Sequence, residues 1–332
     1  MGAALSRVYA AWSTDSLRRT PLARLIRGST VRAVDVGSRG GFDQELLPIA
    51  WLVEAVGFEP DPDELGRLLR SGCGPWRSVR HLPYAIARDR GRRLLSIPDD
   101  PIGASLLVHD PEIGMKYRVE HLFSVKEAVE VETLSLDEAL RRHSLSSPHY
   151  IKLDIEGAEL EVLQGAPKSL ESTVALKVEV AFIVQRYDQP LACDVISWLA
   201  SQSFRLMEIC DPIIWRTEAG PPHPFVGRGC VPYSRGQVAQ ADLVFLRDET
   251  TIRDEDVLPG IAIASALGYF DYARSIALRE DHSVLGDRLP GDVESLLTRS
   301  SLRYGRVQSV RSVALALRGL VPLMRSAARG AG

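Results

Sequence analysis

One pattern constrains this chain more than any other. Short β-branched runs stop on a glycine or an acid and pass at once into helical periodicity. VRAVDVG (Val31–Gly37) is the first, VEAVGFEPDP (Val53–Pro62) the second and YIKLDIEG (Tyr150–Gly157) the third, with Ala175–Val180, Phe204–Ile209 and Asp242–Leu246 after them. Between them, Asp43–Val53, DPDELGRLLR, Ser135–His143, Ala158–Gln164 and Ala192–Ser201 carry apolar residues at helical spacing. Acids in the first turn after Pro62, and Ser135 with Glu138 three residues on, mark helix starts. Strands that alternate with helices build a parallel sheet covered on both faces. The expected fold class is therefore α/β, built on a mostly parallel sheet.

The less regular stretches give weaker expectations. Ser78–Leu82, Tyr84–Ala87, Arg93–Ile97, Ala104–Val108 and Val129–Thr133 read as short strands, and Leu106, Leu107 and Val108 as core. Asp211–Ala241, rich in Pro and Gly, reads as a long insertion before the last strand. One helix is expected around Ile261–Ala277 and another around Val310–Leu320. The domain plan is a helical segment over 1–29, with Leu5, Val8, Tyr9 and Trp12 at helical spacing, a catalytic domain over 30–248, and a helical extension with a basic tail over 249–332.

The net charge of -3 removes the bulk positive field that nucleic-acid binding needs. The charge is uneven, however: Leu296–Gly332 carries seven arginines and no Asp, Glu or Lys. Arg311, Arg318 and Arg325 share one helical stripe, which either packs on the acidic body or makes a peripheral membrane contact. No apolar run approaches the ~20 residues of a transmembrane helix. Cys73, Cys193, Cys210 and Cys230 are scattered with no CxxC, the pattern of reduced thiols in a cytoplasmic protein. His109, His121, His143, His149 and His223 show no metal-ligand spacing and read as structural or surface groups.

Sheets of this class bind ligands beyond the carboxyl ends of their strands. Asp35, Glu59, Asp154 and Glu179 all fall there. Gly37, Gly40 and Gly41 let the chain turn tightly after the first strand, but the loop is not the GxGxxG that seats a pyrophosphate. Asp35 there suits an ammonium rather than a phosphate. Glu59 ends the second strand, where an acid accepts from a ribose diol. Asp154 and Glu156 follow the third strand and are general-base candidates by position. Asp154 has two other readings, as a group positioning cofactor or substrate and as part of a divalent-cation site. Glu159, one turn into the next helix, reads as solvated or structural.

VDVGSRGGF, GFEPDP, and VETLSLDEAL running into IKLDIEGAELEVLQGA together resemble the FkbM family of S-adenosylmethionine-dependent methyltransferases, over roughly Val31 to Arg247. The most specific part is IKLDIEGAE. The first loop departs from the commoner Asn-containing version, with Ser38-Arg39 in its place. The resemblance implies a class I methyltransferase fold, a Rossmann-like and mostly parallel seven-stranded sheet, with S-adenosylmethionine as cofactor. It implies cofactor contacts from Asp35, Gly37 and Glu59 and places Asp154 beside the methyl group. Gly40, in the same loop as Gly37, and Asp154 are also expected at the cofactor, and Glu156 is a catalytic candidate by position. The implied reaction is O-methylation of a sugar or natural-product hydroxyl, so the partner is a small-molecule or glycan acceptor. Two rivals remain open here, a nicotinamide-dependent oxidoreductase and an inactive cofactor-binding partner protein.

Overall fold

The computed structural model describes residues 14–217, 220, 221, 223, 231–279, 292–309 and 313. The expected helix at Val310–Leu320, the arginine stripe beyond it, Cys230 and the apolar residues Leu5, Val8, Tyr9 and Trp12 lie outside that description or almost entirely so.

The β-branched runs pair as their patterning requires. Strands β1 (Val31–Val36), β2 (Val53–Phe58), β3 (Ser78–Leu82), β7 (Tyr150–Leu153), β8 (Ala175–Ala181), β9 (Phe204–Trp215) and β10 (Gln237–Arg247) form one seven-stranded sheet. Its order is β3-β2-β1-β7-β8-β10-β9. Only β10 runs against the others, pairing antiparallel with both β8 and β9. The order reverses on either side of β1, and that switch point is where an open sheet of this kind leaves a crevice. A second sheet of β4 (Ala85–Ile86), β6 (Val125–Leu134) and β5 (Gly91–Pro98) leads into the main one.

The two faces of the main sheet differ. One is apolar along its length: Val34, Val36, Phe58, Ile151, Leu153 and Val178 are buried under α4 (Leu136–Arg142), α5 (Glu159–Gln164) and α7 (Ala192–Ser201). The other changes character along the strands. Its first half carries Val31, Ala33, Val53, Ala55, Tyr150 and Ala175, packed against α8 (Val257–Leu267) and α9 (Phe270–Ala277). Its second half, towards the carboxyl ends, carries Asp35, Lys152, Lys177 and Asp242. Side chains two residues apart share a face, so this division is set by the sequence of each strand.

Several boundaries differ from expectation for physical reasons. Asp211–Trp215 and Gln237–Ala241 continue the β9–β10 ribbon rather than forming a loop. They show no apolar alternation because much of β9 is exposed on both faces, and Pro212 is tolerated there because β9 is an edge strand. Ala104–Val108 is not a strand; it makes an isolated bridge from Ser105 to Ser96, and Val108 is 65% exposed rather than core. The single helix expected over Ile261–Ala277 is two, broken where Gly268 takes φ +94°. Ser135 does cap α4, accepting from the Glu138 N–H at 3.2 Å. Among the described residues no helix is long and apolar enough to cross a membrane.

Helix α8 is buried around most of its circumference, which marks it as a core element of this face. Ile263 is fully buried there. Ile263→Ala should destabilise the fold by about 2–4 kcal/mol in urea unfolding. A loss below ~1 kcal/mol would mean that α8 does not contribute to the same cooperative core.

Candidate active site

The carboxyl ends of β2, β1 and β7 are stitched together by their own backbone. The Gly37 and Ser38 N–H groups both donate to the Phe58 carbonyl at 3.1 Å, and the Asp154 N–H donates to the Val36 carbonyl at 3.1 Å. Gly37 has φ +84°, and a Cβ there would lie 1.9 Å from the Asp154 carbonyl oxygen. Only glycine lets the first loop lie this close to the end of β7. Glu59, Asp35 and Asp154 therefore stand at three adjacent strand ends.

Lys152 binds two of these acids. Its ammonium lies 3.0 Å from Asp154 Oδ2 and 3.8 Å from Asp35 Oδ1. Burial alone would lower the Lys152 pKa, but Asp35, Asp154 and Asp43 outweigh it and hold the ammonium protonated. Lys177, in register with Lys152 on β8, is framed in the same way: Glu45 and Asp242 at 3.2 Å and Asp43 at 4.0 Å. Neither lysine was singled out by the sequence patterns. The signal available was a Lys two residues before an acid inside an otherwise apolar run.

Asp35 is fully buried. Its Oδ2 accepts from the Asp43 N–H at 2.7 Å, while Oδ1 has no hydrogen-bond partner among the described residues. Burial pushes its carboxyl up to about 7, with Lys152 pulling the other way. The enclosed position agrees with a ligand contact relayed through water rather than a direct one. Glu59 is 3% exposed and accepts from the Asp61 N–H at 2.9 Å. Burial raises its pKa, and that amide partly offsets the shift. The Gly40 N–H already donates to Glu64 Oε1 at 2.8 Å, so it is engaged within the protein. Next to it, Arg39 pairs with Asp61 at 2.5 Å.

The turn after β7 is built by Glu159. This residue is buried, not solvated, and its Oε1 accepts from both the Ile155 and Gly157 N–H groups at 3.0 Å. Glu156 sits between those amides with φ +62°, a left-handed conformation that a side chain disfavours. Gly157, at φ +114°, completes the turn; a Cβ there would come within 2.9 Å of Gln189 Nε2. The result presents Asp154 with its side chain 35% exposed, whereas Glu156 is 14% exposed and paired with Arg186 at 2.6 Å.

Asp154, Glu156 and Glu179 bring carboxylate oxygens within 4.8 Å of one another. Lys152 and Arg186 each neutralise one of them, and burial together with the neighbouring acids raises the Glu179 pKa well above its ordinary value. Two of the trio are thus paired with protein cations, while Glu179 accepts from Gln240 Nε2 at 2.7 Å. His109 and His149 are buried: His109 Nε2 lies 2.8 Å from the Gly103 carbonyl, and His149 lies 3.3 Å from Asp256.

Comparison with known proteins adds chemistry to this geometry. The methyltransferase FkbM domain matches residues 35–206, just over half of the chain. The curated hexuronic acid methyltransferase AglP of Haloferax volcanii is 29% identical over 123 residues, which span 37% of this chain and 45% of that protein. This chain thus matches less than half of that relative's length. A crystal structure of a point mutant of MtNAS aligns with 68% of this chain and 56% of its own at 11% identity, with a TM-score of 0.27.

Glu159 yields a pH-dependent prediction. Burial outweighs its amide hydrogen bonds and raises its pKa from 4.5 to about 7. The folded protein thus binds this proton more tightly than the unfolded chain does. The associated stability is full below about 4.5 and is lost as pH rises through about 7. Glu159→Gln keeps an oxygen for the two amides and removes the charge. Between pH 5 and 8 the wild type should lose on the order of 1–3 kcal/mol more stability than the variant. Parallel urea-derived profiles would contradict this placement of the charge.

Proposed function

Because the chain belongs to the FkbM methyltransferase family, we propose that it uses S-adenosylmethionine to methylate an oxygen of a sugar or natural-product acceptor. The observation that supports this most is the row of Glu59, Asp35 and Asp154 at three adjacent strand ends, joined through Gly37. The residues fit the cofactor's chemistry. Glu59 offers a carboxylate to a ribose diol. Asp35 Oδ1, which has no hydrogen-bond partner among the described residues, offers an acceptor to a water-relayed ammonium. Gly37 removes the Cβ that would obstruct the loop, and Gly40 contributes as part of that loop, since its amide is already engaged. When bound, S-adenosylmethionine supplies an electrophilic methyl group together with its leaving group, so the protein's task is mainly alignment.

A hydroxyl acceptor must lose its proton as it attacks. Asp154 is the better placed base, being the more exposed acid of the turn and braced by Lys152. Glu156, held by Arg186, acts from beside it. An acidic sugar is the acceptor class favoured by the similarity to a hexuronic acid methyltransferase. The proposed contacts all lie inside residues 30–248, the catalytic domain of this reading, which places the protein's work in the cytoplasm. A divalent cation is not required by this reading.

Titration calorimetry tests the cofactor class. S-adenosylhomocysteine should bind and NAD should not. Glu59→Ala should weaken S-adenosylhomocysteine binding by roughly 1.5–3 kcal/mol, the scale of a hydrogen bond to a charged group, with little change in melting temperature. Unchanged affinity would remove Glu59 from the site, and binding of NAD alone would favour the oxidoreductase. Cofactor binding without turnover on any acceptor would favour the inactive partner.

A further inference from the structure

Arg186 belongs to none of the motifs that define the site, yet it is the bulkiest of the fully buried side chains among the described residues, at 1% exposure. It lies between β8 and α7, in a segment that pairs with the one following β5. Arg186 bridges His109, the Tyr187 N–H donates to the Val108 carbonyl at 2.9 Å, and the Asp110 N–H donates to the Gln185 carbonyl at 3.2 Å. Gln189 closes the bend, its Oε1 accepting from the Gln185 N–H at 2.9 Å and the Arg186 N–H at 3.1 Å. These two segments form a flap beside the turn that carries Asp154.

The guanidinium joins the flap to that turn. Nη2 donates to Glu156 Oε2 at 2.6 Å and to the Gly103 carbonyl at 3.2 Å. It also lies 5.9 Å from the centre of the Phe123 ring, which packs edge-on against His109 and Trp215. From the other side, the Ser105 hydroxyl donates to the Glu156 carbonyl at 2.8 Å and accepts from the Leu107 N–H at 3.0 Å. Glu156 is therefore clamped at its backbone and at its carboxylate. A left-handed non-glycine residue persists when its surroundings over-determine it, and such residues cluster at functional sites.

We propose that Arg186 is a positioning residue for methyl transfer: through Glu156 it locks the flap of residues 103–110 and 183–189 onto the turn that presents Asp154. The inference rests on the methyltransferase reading for its kinetic consequence and on the contacts above for its structural one. The groups facing Glu156 explain why a cation is needed. Asp154 shares its turn, Glu159 approaches from α5, Glu179 from β8 and Asp100 from the segment after β5. His109 stands beside Arg186 on the flap, and burial keeps it neutral. Arg186 is the cation of the flap that opposes these acids. Burial raises the Glu156 pKa and Arg186 pulls it down. Without Arg186 the carboxylate form is lost at a higher pH, and the turn loses its tie to the flap.

The test compares Arg186→Gln, Arg186→Lys, Glu156→Gln and the Arg186→Gln/Glu156→Gln double variant. Hydrogen exchange needs no acceptor. Arg186→Gln should raise exchange at least tenfold across residues 103–110, 154–157 and 183–189 together, and the double variant should exchange no faster than Glu156→Gln. Kinetics use S-adenosylmethionine with p-nitrophenyl β-D-glucuronide as the acceptor probe. Arg186→Gln should lower kcat/KM at least tenfold at pH 7 and move its acid limb to higher pH. Arg186→Lys should recover most of the loss, and the affinity for S-adenosylhomocysteine should stay within twofold throughout. In the Glu156→Gln background, replacing Arg186 should change kcat/KM less than threefold, with no movement of the limb.

Equal losses in both backgrounds would overturn the inference. So would a pH-independent loss that tracks cofactor affinity, or unchanged exchange in the three segments. If Arg186→Gln alone leaves an unpaired buried acid and does not fold, the Lys variant and the neutral double variant decide the same questions. A wild type that binds no S-adenosylhomocysteine would defeat the methyltransferase reading, while the exchange data would still decide whether Arg186 holds the flap.

Discussion

The Lys152 ammonium between Asp35 and Asp154 is the contact on which the site depends. The sheet brings two acids to neighbouring strand ends and buries one of them completely. Unopposed carboxylates at that spacing would repel each other and gain protons. A lysine in register with Asp35 opposes that repulsion from within the sheet. Removing one partner of such a buried group leaves the others uncompensated, so these residues are expected to act as a unit. Lys177 repeats the device one strand over, gathering Glu45 and Asp242.

This arrangement explains how one sheet serves both stability and chemistry. The face under α8 and α9 is apolar at the amino ends of the strands and charged at their carboxyl ends. The apolar half, closed by a helix buried around most of its circumference, supplies the burial that a charged interior cannot. The charged half is held by ion pairs and by backbone hydrogen bonds among the strand ends. Two loops, one after β5 and one after β8, meet at Glu156 beside that charged half.

What could be read in the sequence was local. The strands Ser78–Leu82 and Tyr150–Leu153 are legible to the residue, and the block IKLDIEGAELEVLQGA marks both the strand and the helix that frame Asp154. The failures are contacts and exposures that no periodicity specifies. Glu159 looks like an ordinary first-turn acid of a helix, and nothing in its neighbours says that it folds back onto the two amides flanking Glu156. Arg186 meets its partner thirty positions away, beyond two helices and a strand, and no spacing rule connects them. The edge strand β9 around Asp211 is exposed on both faces, so the alternation of buried and exposed positions that reveals a strand is missing there. Val108 fails in the opposite sense, because an apolar run was read as core where it forms an exposed flap.

The central claim is that the charged half-face at the ends of β2, β1 and β7 is the cofactor cleft. A crystal structure of the protein with S-adenosylhomocysteine tests this most directly. The account predicts the ribose hydroxyls within hydrogen-bond reach of Glu59, a water between Asp35 Oδ1 and the amino group, and the sulfur on the side of the cleft where Asp154 stands. A ligand bound elsewhere, or bound with its ribose away from Glu59 and its sulfur away from Asp154, would contradict it.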